Sequence, residues 1–429
     1  MKFTAAGDAI IQRRMQDDFE GLHEIAPFVQ RGDARFFNLE TTLHREGECY
    51  ASQFSGGTYI RTNPEMLEDI KKFGFNMTSF NNNHAMDFSY EGLLHTLQHL
   101  EDSGLVHSGV GRNLDEASAP RYLETPNGRV ALIAVNTSFE PCMMAGKQGR
   151  RVPGRPGVNG LRVEKKLHVT KEELDFIKNL AGKMNINAEN EIERRGGYMA
   201  PLPEEEAEFA PLRFVLDEET KYTQKMNADD MKRVEQAIYE AEFQADYTIV
   251  SIHSHDVTGD TEEIVPDVLR DFAHACIDAG ANAVVGHGPH LLRPIEIYKD
   301  SPIFYSLGDF MIQLYSVEFA PEDFYSRYGL TTDSTMHELL KTRSKDFSIG
   351  LMTERKMFQT VIPYWETKDK KIIKLELLPV ECKMAGHKSE IGLPRRATDL
   401  AFIEHLTEMS ADYGVRMNVG KDGIVTCEW

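Results

Sequence analysis

The chain has 429 residues, 41% of them apolar and 27% charged, with a formal net charge of −20; this composition excludes disorder or a coiled coil for the whole chain and leaves ample material for a large core. The acid excess argues against a nucleic-acid partner, because phosphate neutralisation needs a clustered Lys/Arg surface. There is no apolar run of membrane-spanning length, no apolar segment of signal-peptide length near MKFTAAGDAIIQRR, and no CxxC among five scattered cysteines, so we expect no membrane span, free thiols and a cytoplasmic location.

In chain order, Pro64–Phe73 predicts a helix closed by Gly74, and the segment from Ser89 predicts a second one stopped by Gly104. The run VALIAVN at 130–136 is a buried strand. Residues 147–166 then carry seven basic residues against one acidic, and 201–220 seven acidic against one basic. Such opposed blocks, broken by Pro and Gly, suggest an insertion over 140–240 with a helix-like centre. It is either a solvated loop or a lid whose Arg150 and Arg151 hold an anionic substrate, since arginine grips carboxylate and phosphate in a fork. Helix and strand patterns alternate again from 231 to 310, residues 311–345 read as irregular, and 346–380 alternates like antiparallel strands. The fold class is therefore α/β, with a C-terminal extension over 386–429.

The informative residues stand where apolar runs end. Asp8 follows KFTAAG, Asn38 and Glu40 follow ARFF, and Asn83, His84 and Asp87 follow NMTSF. His253, His255 and Asp256 follow DYTIV, and His287 and His290 follow NAVV. Ligands in open α/β sheets bind at such strand ends. Carboxylates with imidazoles suit Zn, Mn, Fe and similar ions, and this many donors exceeds the need of one tetrahedral ion. Two metals bridged by a carboxylate would use them all.

Taken together, GD near the start, NLET, NNNHAMD, the His-bearing strand end, GHGPHLLRPIEIY and YSLGDF resemble the CapA-type poly-γ-glutamate capsule biosynthesis proteins, a branch of the calcineurin-like metallophosphoesterase superfamily. The resemblance covers roughly 1–135 and 240–380. It implies two facing mixed β-sheets flanked by helices, a metallo-dependent phosphatase-like four-layer sandwich over 1–385. It also implies two divalent ions (Mn, Zn, Fe or Co). Asp8 and His290 would hold the first, Glu40 would bridge, and Asn83, His253 and His287 would hold the second. His84 would act as general acid or charge stabiliser, oriented by Asp87. His255 or Asp256 offers a further ligand or a substrate contact, as does Asn38.

The expected activity is hydrolysis of an amide or phosphoester by a water acidified between the two ions. The substrate would be an anionic peptide, polyglutamate or phosphoester, and a capsule-synthesis protein is the expected partner. A metal-dependent epimerase and a non-catalytic scaffold in capsule assembly are the alternatives.

Overall fold

The computed structural model describes residues 1–429. Its framework grows from strands that are buried on both faces. In Lys2–Ile10 every residue after Lys2 is buried, as expected of a strand in the middle of a mostly parallel sheet. This strand pairs in parallel with Ala34–Leu39 and Asp309–Ile312, and antiparallel with Gln359–Lys368. They belong to a mixed sheet of ten strands. A second mixed sheet of six strands has Gly128–Asn136, Tyr247–His253 and Ala283–His287 in parallel at its centre.

Side-chain alternation sets the layers. Phe36 and Leu377 of the first sheet meet Leu132, Tyr247, Ile249 and Val285 of the second in one apolar cluster. The two sheets therefore face each other. Their chain neighbours Phe37 and Leu378 turn to the opposite face and pack with Ile25, Ile70 and Leu97 of the helices Glu20–Val29, Met66–Lys71 and Ser89–Ser103. The helix Asp267–Asp278 packs on the strand Ala283–His287 of the second sheet. The result is the expected α/β sandwich. No helix is long and apolar enough to cross a membrane.

Two boundaries differ from the sequence reading. The separately packed unit runs over Arg162–Ala228, narrower than 140–240, and the rest of the chain forms the other unit. The smaller unit has its own four-stranded sheet and a helix, Lys171–Met184, closed at its start by a Thr170–Glu173 capping box. Val169, Leu174 and Ala207 form its small core. The tail over 386–429 is framework, since Pro394–Arg396, Arg416–Val419 and Val425–Glu428 are strands of the ten-stranded sheet. Their shortness and largely exposed residues hide them among polar sequence.

The region 311–345 contains two short helices, Glu322–Arg327 and Met336–Arg343. Phe324, Tyr325, Met336 and Leu339 anchor it on Tyr59 and Phe88.

Candidate metal centre

The parallel register delivers the polar strand ends to one place. Asp8 is the Cα partner of both Asn38 and Asp309, and His253 is the partner of both His287 and Asn136. Gly7 makes the first of these alignments possible, because a Cβ there would lie 1.8 Å from the Gly308 carbonyl oxygen. At the His287 end, Gly288 has φ +122°, and a Cβ would lie 2.8 Å from the Ser254 carbonyl oxygen. Such positions favour glycine. His290 follows with φ +59°, which turns it back toward the acids.

Three overlapping groups of donor atoms result, each within 4.8 Å of one another. One is Asp8, His253 and His287; another is Glu40, His253 and His255; the last is Asp8, Glu40, His290 and Asp309. Asp8 accepts from Asn38 Nδ2 at 2.7 Å and from the Gly288 N–H at 2.9 Å. His287 Nε2 meets Ser251 Oγ at 2.7 Å, which leaves its Nδ1 2.9 Å from His253 Nδ1 and 3.5 Å from Asp8. His290 Nδ1 bonds Asp309 Oδ1 at 2.8 Å.

The electrostatics separate the imidazoles. Burial pushes His287 down to about 3, and burial with neighbouring imidazoles holds His253 and His255 well below the usual range. These three are neutral at neutral pH, the form that offers a lone pair to a metal. For His290, burial opposes charging, but Asp309, Glu40 and Asp8 outweigh it and lift the group to about 10. Burial, reinforced by Asp309, raises Asp8 to about 7, and burial with Asp8 raises Glu40 well above the carboxylate range.

Both carboxylate oxygens of Glu40 are buried without a hydrogen-bond partner, as are Asp309 Oδ2 and Asn83 Oδ1. An unsatisfied buried acceptor costs about 1–3 kcal/mol. Four such oxygens, together with the lone pairs of the neutral His253, His255 and His287, are a donor set that fits divalent cations, with hard and borderline ligands combined.

Of the residues singled out in the sequence, Asp8, Glu40, His253, His255, His287 and His290 are gathered here. The structure groups His287 with Asp8 and His253. Asn83 Nδ2 is tied to the Gly56 carbonyl at 3.0 Å, leaving its oxygen free. His84 Nδ1 meets Asp87 Oδ2 at 2.7 Å, and its Nε2 lies 4.0 Å from Glu40. Asp87 is itself held by the N–H groups of Gly56 and Ile60. Asp256 stands apart from the donor groups and accepts from Thr137 and Ser254. Arg150 and Arg151 occupy an exposed turn between Gly149 and Val152. Neither lines the cavity of about 360 Å³ that opens beside His84, His255 and His290.

Asp309 is the donor that sequence reasoning left out. Its signal was a second Gly-Asp pair ending an apolar run, as Gly7-Asp8 does.

A sandwich-type α/β protein with a buried His/Asp/Glu cluster able to bind metal ions is thus defined. Residues 2–314 match the family model for the bacterial capsule synthesis protein PGA_cap, and the chain belongs to that family. An uncharacterized protein of Sinorhizobium fredii, y4sH, is 30% identical, covering 97% of this chain and 90% of its own length. The capsule biosynthesis protein CapA of Bacillus anthracis is 21% identical over 72% of this chain and 59% of its own. The PGA biosynthesis protein CapA of Bacillus subtilis is 26% identical over 59% and 47%.

Proposed function

We propose that this chain is a metal-dependent hydrolase that cleaves an amide or phosphoester bond of an anionic substrate, a peptide, polyglutamate or phosphoester, within capsule-related metabolism. The observation that carries this reading is Glu40, whose two buried, unpartnered carboxylate oxygens lie between His253 on one side and His290 on the other. Glu40, His253 and His255 would hold one ion and Asp8, Glu40, His290 and Asp309 a second, so that Glu40 is shared, with His287 and Asn83 in reserve. Two divalent ions held there would supply Lewis acidity and lower the pKa of a water to about 7.

The remaining work falls to this chain's own side chains. Asp87 fixes the His84 ring through Nδ1, so Nε2 is the atom left to deliver a proton to a leaving group. Ser251 orients His287, and Asn38 with the Gly288 N–H orients Asp8.

The test is turnover of p-nitrophenyl phosphate and of γ-glutamyl-p-nitroanilide by chelator-treated protein reloaded with Mn, Zn, Co or Fe. Metal-dependent cleavage that disappears in Glu40→Gln is expected. Cleavage unchanged by chelation, or none with any of the four metals, would overturn the reading.

A further inference from the structure

The cavity beside the donor cluster is built from two unlike walls. His84, His255 and His290 form one side. The other is apolar, with Leu314, Leu340, Phe347, Leu351, Met352 and Met357 among its residues. Most of this second wall comes from the segment 315–357, beyond the residues that the family model matches. The segment is fixed at both ends, by Phe324 and Leu339 in one apolar cluster and by Met357 and Phe358 in another with Ile10 and Ile60.

Two features of this wall go beyond packing. Lys345, Asp346 and Phe347 are three consecutive residues with left-handed φ of +47°, +64° and +59°. A fold holds such strain where it fixes a clamp or a ligand surface, and here it sets Phe347 in the cavity wall. Arg343, at the end of the helix Met336–Arg343, also lines the cavity and forms no ion pair; its Nη1 donates to Thr58 Oγ1. Thr58 belongs to the same loop as Gly56, whose N–H holds Asp87 against His84. The one carboxylate in the lining, Glu262, comes from the loop that follows His255. One guanidinium with no carboxylate partner, 5.5 Å from the Phe324 ring centroid, beside the apolar wall of a pocket of about 360 Å³, suits a ligand with one anionic head and an apolar body, since such pockets bind mainly through apolar contact with a few placed polar groups.

We propose that the substrate is a small amphiphilic anion, with an aliphatic or aromatic group seated against Leu340, Phe347 and Met352 and a single carboxylate paired to Arg343, rather than a polyanionic chain. This takes the adjacent donor cluster as the reacting centre, as proposed above, and adds what is presented to it. A polyglutamate would bring many charges to a wall that offers one cation, and its hydrated carboxylates would have to displace water from apolar surface without partners.

The experiment is calorimetric titration of the Mn-loaded full chain with acetate, butanoate, hexanoate, octanoate and tri-γ-glutamate. Affinity is expected to rise along the four monocarboxylates by up to roughly fourfold per added methylene. Arg343→Gln, at equal metal content, should weaken hexanoate by roughly tenfold or more. Met352→Glu should flatten the chain-length series. Equal affinity for acetate and octanoate, unchanged hexanoate binding in Arg343→Gln, or tri-γ-glutamate binding tighter than hexanoate would each overturn the proposal. Turnover is not the readout. Binding as expected, with no metal-dependent cleavage of p-nitrophenyl phosphate or γ-glutamyl-p-nitroanilide, would uphold this pocket and remove the hydrolase reading alone.

Discussion

Asp8 and Asp309 are Cα partners on adjacent parallel strands, each preceded by a glycine, and the Asp8 N–H donates to the Gly308 carbonyl at 3.0 Å. The pairing places two carboxylates on one side of His290, with Asp309 in direct contact at 2.8 Å and Asp8 in the same donor group. Neither acid has a lysine or arginine partner. The only opposing charge among their neighbours is the His290 imidazolium, which leaves room for a cation.

Asp309→Asn should therefore weaken metal binding by about 10–100-fold or more, since it removes a donor as well as the partner that orients His290. His290 would also lose the acid that contributes most to raising it. Competition with a fluorescent chelator measures this. An unchanged affinity would mean that Asp309 is only a buried strand residue.

Gly7→Ala tests the alignment itself. The new methyl would sit 1.8 Å from the Gly308 carbonyl oxygen, where only backbone can yield. Overpacking of a core costs about 1–3 kcal/mol, and a backbone contact of this kind falls at or above the top of that range. Urea unfolding should show a lowered midpoint, and metal content should fall with it; a wild-type midpoint would contradict the close approach.

The donors were legible because each polar cluster interrupts an apolar run, so the strand ends could be counted along the chain. Asp309 was not paired with Asp8 because their proximity depends on a register between the two ends of the sequence, which no local pattern carries. The tail strands Arg416–Val419 and Val425–Glu428 were missed for a related reason. They lie toward the sheet edge, Arg416–Val419 has no buried residue, and only Val425 and Cys427 reach the core, in a cluster with Leu375 and Leu377. The short helices in 311–345 bury only two residues each, Phe324 with Tyr325 and Met336 with Leu339, which is too few for a period to show.

His84→Asn should lower turnover by about 10²–10⁴-fold, the contribution of a positioned proton donor, with metal content unchanged. Its Nδ1 is taken by Asp87, and Nε2 lies no closer than 4.0 Å to Glu40. Steady-state kinetics beside elemental analysis decides the point. Loss of metal in parallel with activity would make His84 a ligand instead.

Acid stability offers a check away from the centre. Burial pushes His44 from its ordinary 6.5 down to about 4, and its Nε2 has no partner. As pH falls from about 6.5, the unfolded chain takes up a proton there that the folded one refuses until about 4, so folding is progressively disfavoured across that window. His44→Leu should make the fall of Tm between those pH values shallower in chelator-treated protein. An identical slope would show that His44 accepts a proton while folded.

The most direct measurement is the metal content of the purified, reconstituted chain by elemental analysis, with Glu40→Gln alongside. Glu40 joins His253 and His255 in one donor group and Asp8, His290 and Asp309 in another, so a shared carboxylate should serve both ions. The expected result is two divalent ions per chain in the wild type and a loss of at least one in Glu40→Gln. Only a trace of metal after reconstitution, or two ions retained in Glu40→Gln, would contradict a metal pair bridged at Glu40.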